Sequence, residues 1–562
     1  MPLSPPTSTK ISTLQLRRWC SARRPLFRVC PRVAFSTNGT RTFCRHVTPS
    51  CIVGIGGIAV WNARHMTESA WMGIDLGTQS VRAIVLDDDG RELAAASALL
   101  DSNRFDDRHE QNPQQWLEAT KSILLKVTAD LSVRYTLRAV SVSGTSGTLV
   151  ALDRVTGEPR GPAVMYDDRR GAPHLDRVAT AGAALWHRLG YRMQASWGLP
   201  KLLEMLSSRA YDDSVIGHQP DVITSLLAGH RVASDLSSAL KTGADLDRVS
   251  WPEDVLDSLG VTLSKLNGLA ASGSVIGAVD KTGSAATGLP VGCLIVAGMT
   301  DGCAAQLSSG ALTAGTWNSV LGTTLVLKGV SAERHLDPTG AVYAHRAPFE
   351  GGWYPGGASN SGAGAISKLL PGRDLTALTT QLNLTGAAPI AYPLNGRGER
   401  FPFVASDAVA LLPESGDDVT VFSAILHGVA YVERLAFDLL AMTGYDVGGP
   451  LYVTGGGARN PVWTQLRADT LQRELSVPAQ SEGAAGMAML AAAGHAAHND
   501  AGATAPLASI AQRMTPPSSL VEPRAQRRGV LADAYAGFID HLTDSGWLAP
   551  ELCSAARERL NT

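Results

Sequence analysis

Asp301 lies in the run Gly298-Met299-Thr300-Asp301-Gly302, where the apolar stretch Leu294 to Ala297 gives way to small residues. A carboxylate at such a junction can sit in a cleft and accept a proton from a substrate hydroxyl. The same position also suits a simple helix cap. Asp75 closes a second apolar run, in Trp71-Met72-Gly73-Ile74-Asp75-Leu76-Gly77-Thr78-Gln79-Ser80-Val81-Arg82. The pattern predicts strand, tight turn, strand. Backbone N–H groups and hydroxyls in a turn of this composition can approach a phosphate closely. Asp75 beside it can hold Mg²⁺ through water, because that hard cation keeps its hydration shell. Taken alone, Gly77 and Thr78 are ordinary hairpin residues. No G-x-x-x-x-G-K-[ST] occurs in the chain, which excludes a P-loop.

Three further segments carry chemistry. Thr316 to Leu327 repeats the first hairpin, with the turn Gly322-Thr323-Thr324. Two such hairpins suggest two phosphate-contacting loops facing each other. Leu451 to Trp463 runs from an apolar strand through Gly455-Gly456-Gly457 to Asn460. Glycines without Cβ let a flat ring and a ribose lie against backbone. Tyr166-Asp167-Asp168-Arg169-Arg170 follows the apolar Ala163 to Met165 and could point into a cleft or form a solvated loop.

The elements needed to position these residues alternate along the chain. Strand-like runs are Ala83 to Leu86, Ala139 to Val142, Thr148 to Leu152, Leu294 to Ala297, Ser319 to Lys328 and Leu451 to Thr454. Helical stretches are Gln114 to Leu131, Pro200 to Leu206, Val421 to Met442 and Asn460 to Leu475. The alternation predicts an α/β chain. A boundary near 310 to 320 predicts two α/β domains of about 240 residues with a cleft between them.

The charge is uneven. Residues 1–67 hold ten Lys or Arg and no acid, which leaves 39 basic against 51 acidic residues in the rest. An acidic body argues against nucleic acid as a partner, since phosphate backbones need clustered positive charge. The first 67 residues have the composition of a transit peptide. They could equally be upstream sequence from a start set too early, with Met66 or Met72 as the true start. The apolar run Cys51 to Trp61 is too short to span a bilayer, so no membrane is expected. Four of the seven cysteines fall in this segment, and Cys293, Cys303 and Cys553 show no metal-like spacing. A reducing, cytoplasmic setting is expected, with a plastid or other organelle as the alternative if the segment is a transit peptide.

From about residue 71 to 545 the chain resembles the FGGY carbohydrate kinases. The motifs arrive in that family's order. They are Gly73 to Thr78, Glu110-Gln111-Asn112-Pro113 with Trp116, and Tyr166 to Arg170. Pro200-Lys201-Leu202-Leu203, Gly298 to Asp301 and Leu321 to Thr324 follow. Gly398-Glu399-Arg400-Phe401-Pro402, Gly455 to Asn460 and Glu482-Gly483-Ala484-Ala485-Gly486 complete the set.

The resemblance implies an α/β fold of two actin-like (ribonuclease H-like) ATPase domains around a central cleft. Residues 70–312 would form the sugar- and phosphate-binding domain and 313–545 the nucleotide-binding domain. It implies transfer of phosphate from ATP, with Mg²⁺, to a sugar hydroxyl. Asp301 would be the general base and Asp75 the water-mediated magnesium ligand. Gly77, Thr78, Gln79, Ser80 and Arg82 would form the first phosphate hairpin and Gly322, Thr323 and Thr324 the second. Gly455, Gly456 and Asn460 would hold adenosine, and Asp75, Ser146, Gly147 and Asp301 would meet the sugar. The partners are then the sugar and ATP, with a homodimer left open.

Xylulokinases of this family usually carry Gln-Met-His-Gly after the Val-Ser-Gly strand and Asp-Asn at the base. Here the matching residues are Ser143 to Thr148 and Asp301-Gly302. Ser146 and Gly147 thus replace Met and His. A pocket whose polar contacts change should change its substrate. The Gly144 to Thr148 run, the Gly322 to Gly329 run, and Tyr392-Pro393 with Gly398 to Phe403 are similar to the D-ribulose kinase branch, so D-ribulose is expected, with D-xylulose as the alternative. An actin-like ATPase switch with no sugar substrate is a further alternative, since fold does not fix function.

Overall fold

The computed structural model describes residues 67–560 apart from 350–351, 385, 387, 414–415 and 500–505. The transit-peptide or mis-set-start reading of the N-terminal segment therefore lies outside the described residues.

The first sheet is built from β1 (Glu68–Leu76), β2 (Ser80–Asp87), β3 (Glu92–Leu99), β4 (Tyr135–Gly144), β5 (Val275–Ala278) and β6 (Leu294–Val296). Its order is β5-β6-β4-β1-β2-β3. The β1–β2 hairpin is antiparallel, while β4 runs parallel to β1 and β6 parallel to β4. The second sheet contains β7 (Trp317–Leu321), β8 (Leu325–Gly329), β9 (Tyr343–Arg346), β10 (Trp353–Ala358), β11 (Leu451–Thr454), β12 (Leu475–Pro478) and β13 (Ser518–Val521). Its order is β9-β10-β8-β7-β11-β12-β13. Again a central antiparallel hairpin, β7–β8, has a parallel pair, β11 and β12, on one side. Each sheet thus carries the same core of three antiparallel strands followed by two parallel ones. This is the actin-like, ribonuclease H-like fold, built twice.

A smaller sheet joins Asn103–Phe105, Arg108–Gln111, Ala163–Val164, Leu149–Asp153 and Ser214–His218. It brings the Tyr166 to Arg170 run beside the first sheet.

Six helices matter for the site. They are α1 (Pro113–Asp130), α2 (Gln219–Ala228), α3 (Asp301–Ser309), α4 (Asp418–Met442), α5 (Pro461–Leu471) and α6 (Gly483–Asn499). Helix α4 is long and apolar enough to cross a bilayer, but its apolar surface is spent on the core of the second half, where Phe422, Ile425, Leu426, Val429 and Leu435 are buried.

Helix α6 comes late in the chain yet packs on the first sheet. Met487, Ala488, Leu490 and Ala491 share one core with Trp71, Ile84 and Val296, and with Cys303, Ala304 and Leu307 of α3. The approach is close enough that a Cβ on Gly73 would lie 1.8 Å from the Ala484 carbonyl oxygen. Small residues on both sides allow such tight contact at native packing density.

The hairpin expected over Thr316 to Leu327 is present, the chain turning at Gly322 to Thr324 between β7 and β8. One element expectation is corrected. The helix expected from Asn460 to Leu475 ends at Leu471. Gln472 adopts φ 52° and caps it, and the buried Leu475 begins β12 opposite Leu451.

Candidate active site

The first hairpin is clamped from behind. Gly77 N donates to the Ser80 carbonyl at 3.0 Å, closing the turn. Gln111 Nε2 donates to the Thr78 carbonyl at 2.6 Å and to Ser102 Oγ at 2.8 Å. Its Oε1 accepts from Trp116 Nε1 at 2.8 Å, and Trp116 is fully buried. Asn112 caps α1 through the Gln114 N–H, with Pro113 at the first turn. The Glu110 to Trp116 motif therefore holds the Thr78 turn through one buried amide.

Asp75 sits where β1 ends. Ser143 Oγ donates to its Oδ1 at 2.7 Å. Its other oxygen abuts the start of α6, 2.9 Å from where a Cβ on Gly483 would be. Burial pushes the Asp75 pKa up to about 6; Asp301 and Glu482 push the same way, while Ser143 and Arg82 oppose.

Asp301 occupies the first position of α3, after Thr300, which makes no side-chain cap bond. Its Oδ1 accepts from Gly302 N at 2.7 Å. The side chain is exposed, yet the protein packed around it desolvates the carboxyl. This crowding raises its pKa above the usual carboxylate range, against the Gly302 N–H and the charges of Lys241 and Lys328. Both carboxylates thus lie at N-terminal ends of helices, where the dipole favours the ionised form.

The second hairpin is held in a similar way. Gly322 N donates to the Thr324 carbonyl at 3.0 Å. The Thr323 carbonyl accepts from Gly364 N at 3.0 Å and Asn395 Nδ2 at 2.9 Å. Gly455 follows directly behind. It has φ 84°, and a Cβ there would lie 2.6 Å from the Leu321 carbonyl oxygen, so no other residue fits. Gly456 faces open space. Asn460 caps α5, accepting from Val462 N and Trp463 N, and its Nδ2 donates to Thr379 Oγ1 at 3.0 Å. Glu482 ties these parts together. It lies 3.1 Å from Arg82 on the first hairpin and 4.0 Å from Arg459 in the glycine turn.

Ser146 and Gly147 lie beyond β4. Ser146 Oγ is buried and has no hydrogen-bond partner among the described residues. Gly147 has φ 91°, and a Cβ there would meet Lys241 Cδ at 3.1 Å. Burial and the neighbouring Arg400 bring the Lys241 pKa down to about 7, against Asp301.

The Tyr166 to Arg170 run is largely spent on structure. Asp168 is buried and accepts from His109 N, Arg170 N and Arg170 Nε. Arg170 also bonds Glu110 at 2.7 Å. Asp167 pairs with His109 and Arg104. Burial would raise both carboxyls, but these partners outweigh it, lowering Asp168 and holding Asp167 at about 2. Neither competes with Asp301 as a proton acceptor. Lys201, also buried, donates to the Met165 carbonyl at 2.7 Å.

The residues that sequence reasoning missed come from both halves, Lys241 from the first and Lys328, Tyr343 and Arg400 from the second. Lys328 and Lys241 place their ammonium groups 4.8 and 5.8 Å from the centre of the Tyr343 ring. Lys328 lies within the Gly322 to Gly329 run that resembles the D-ribulose kinase branch, but no role was expected of its side chain. Arg400, inside a recognised motif, faces the same group. Its neighbour Glu399 is a buried node that accepts from Ser359 Oγ, Tyr392 OH and Asn360 N.

Chemically, the arrangement offers two hydroxyl-bearing turns, a carboxylate beside the first and a second carboxylate of raised pKa facing it. Comparisons with known proteins agree with this reading of the architecture. Models of the FGGY family of carbohydrate kinases match at residues 70–308 for the N-terminal domain and 311–495 for the C-terminal domain. The xylulose kinase of Streptomyces coelicolor is 30% identical over 449 residues, covering 77% of this chain and 89% of its own. That of Bacillus subtilis is 24% identical over 494 residues, covering 84% and 97%. The crystal structure of a xylulose kinase from Rhodospirillum rubrum superposes with a TM-score of 0.73 at 22% identity, covering 85% of this chain and 99% of that one. With both domain models matched in order on a twice-built actin-like fold, the chain belongs to the FGGY family of carbohydrate kinases and is a sugar kinase.

Proposed function

We propose that the chain transfers the γ-phosphoryl group of ATP to a hydroxyl of a pentulose, with D-ribulose as the preferred acceptor. The observation that carries this reading is Asp301, a carboxylate of raised pKa facing the turn-borne Asp75. In the reaction the acceptor hydroxyl oxygen bonds to the γ-phosphorus as its proton passes to Asp301. The bond from that phosphorus to the β–γ bridging oxygen breaks, and ADP leaves with the electron pair. Most of the rate comes from positioning and charge neutralisation, with a modest share from the base.

The two hairpins, at Gly77 to Ser80 with Arg82 and at Gly322 to Thr324, are suited to cradle the phosphates. Gly455, Gly456 and the Asn460 cap shape a surface for the adenosine. Among the described residues no three His, Cys, Asp or Glu side chains gather into a metal cage. Mg²⁺ would be carried on the nucleotide's phosphates and water, with Asp75 placed to hold that water. Bound there, the ion would neutralise phosphate charge; Asp75, oriented by Ser143, would hold its water shell.

The pentulose reading draws on the relatives, several of which are named xylulose kinases. Those names favour D-xylulose as the second reading. Ser146 and Gly147, in place of a Met-His pair, and Gly302 after the base support D-ribulose instead. A coupled ADP-release assay over D-ribulose, D-xylulose, glycerol, gluconate and aldoses tests this. A higher kcat/KM on D-ribulose supports the proposal. Better use of D-xylulose moves the assignment to xylulokinase, and turnover indifferent to every sugar moves it to an ATPase switch.

A further inference from the structure

Two lysines, Lys201 and Lys328, are nearly or fully buried, and they differ in one respect. Lys201 has the Met165 carbonyl as its acceptor. Lys328 Nζ has no hydrogen-bond partner among the described residues, and no ion pair. An ammonium carries three donors and almost never stays buried unpaired. The Tyr343 ring beneath it compensates only in part.

Its placement explains what it is for. Along β8, Leu325 and Leu327 face the core of the second half, so Val326 and Lys328 face the other way. There they meet α3: a Cβ on Gly302 would lie 3.9 Å from both Lys328 Cε and Val326 Cγ1. A Cβ at 302 would thus stand in ordinary van der Waals contact with Lys328, and only a longer side chain there would compete with it for space. Lys328 stands three residues along the strand from Leu325, roughly 10 Å beyond the Gly322 turn at the usual strand rise. It lies with Asp301, Lys241 and Tyr343, deeper than the phosphate loop. Burial lowers its pKa, while Asp301 and Cys303 draw it back up.

We propose that Lys328 is an acceptor-site residue: its ammonium donates to a hydroxyl or carbonyl oxygen of the bound sugar, supplying the acceptor that the protein itself does not, and glycine at 302 leaves the room it needs. This rests on the sugar-kinase reading above.

The test compares the full chain with Lys328→Met and Gly302→Asn, varying sugar at saturating ATP and ATP at saturating sugar. A hydrogen bond to a charged group is worth about 10- to 100-fold. Lys328→Met should lose that much kcat/KM for the sugar, mainly through KM, with KM for ATP within about threefold. Its Tm should equal or exceed that of the parent, because an unpaired buried cation is removed. Gly302→Asn, with Lys328 in place, should raise the sugar KM in the same direction.

A sugar KM unchanged in both variants overturns the proposal. So does an ATP KM that rises as much as the sugar KM, which would place the ammonium on the phosphates. Failure of Lys328→Met to fold counts against it as well, and Gly302→Asn then decides alone. Should the parent chain phosphorylate no sugar, the pentulose reading falls and takes this proposal with it. A parent active on a sugar beside an equally active Lys328→Met removes this proposal only.

Discussion

Asp75 and Ser143 are register partners across the parallel strands β1 and β4, and Ser143 Oγ also donates to Asp75 Oδ1 at 2.7 Å. The sheet's own pairing thus aims the carboxylate, and the hydroxyl fixes its rotamer. If Asp75 orients a hydrated cation, Ser143→Ala should loosen that aim without touching the acceptor side. A bond to a charged group suggests a rise of about tenfold in the Mg²⁺ concentration for half-maximal rate. The KM for the sugar should stay within about twofold. A magnesium titration of both proteins at fixed ATP decides it, and an unchanged requirement would mean that Asp75 needs no help from Ser143.

Gln111 joins a buried tryptophan to the turn that is proposed to hold phosphate. Gln111→Leu keeps the bulk and removes all three bonds, leaving the Thr78 carbonyl, Ser102 Oγ and the Trp116 N–H without this partner. The expected result is a rise in KM for ATP of about tenfold, with a smaller change for the sugar. Steady-state kinetics with each substrate varied in turn gives the ratio. Equal rises for both substrates would show that the clamp stabilises the whole half and not the turn.

Much of this architecture was legible because its signals are local. A Gly-Thr turn after an apolar run, three glycines before Asn-Pro, and Asn112-Pro113 at a helix start each state a backbone geometry within a few residues. The fold follows from their order along the chain. The convergence of Lys328, Lys241 and Tyr343 was not legible, because they come to Asp301 from separate elements; Lys328 stood inside a family-like run without an expected role, and the other two read as an ordinary charged and an ordinary aromatic residue. Asp167 and Asp168 left cleft and solvated loop both open in sequence. Asp168 is instead captured by Arg170 two positions on, and Asp167 by Arg104 and His109 from another hairpin. The end of α5 was missed because Gln472 turns the chain in a left-handed conformation with no Gly or Pro to announce it.

Arg467 and Glu433 form a fully buried bidentate pair between α5 and α4, with both bonds at 2.7 Å, and Arg467 also reaches Ser319 on β7. Breaking such a pair leaves one buried charge without its counterion, a loss of about 3–5 kcal/mol. Arg467→Met or Glu433→Leu alone should therefore destabilise by about that amount. The double variant should recover most of it, since two apolar side chains replace two charges. Urea unfolding of the four proteins measures the coupling. Strictly additive losses would mean that the pair acts through its surroundings and not through its mutual attraction.

Asp301→Asn separates the base from a purely structural residue at the helix start. Asn and Asp serve about equally well at helix starts, so a purely structural Asp301 would be replaced with little loss of rate or Tm. A general base cannot be replaced in this way: kcat should fall by about 10²- to 10⁴-fold while KM for ATP barely moves. The pH profile adds a second criterion. Desolvation by the protein surrounding the carboxyl raises the Asp301 pKa above the ordinary carboxylate range, though the side chain keeps exposed surface. The base works only when ionised, so activity of the parent chain should fall on acidification at a higher pH than an unperturbed aspartate would give. The raised pKa has a matching effect on stability. The group favours the folded state fully below its unfolded pKa, and that contribution is lost as pH rises through the folded value. Asp301→Asn should accordingly match the parent's Tm in acid and exceed it near neutrality, while being far slower at every pH. Near-parental kcat in the variant would place the base elsewhere. Asp167 and Asp168 would not be its replacements, because their partners hold both carboxyls below the ordinary range.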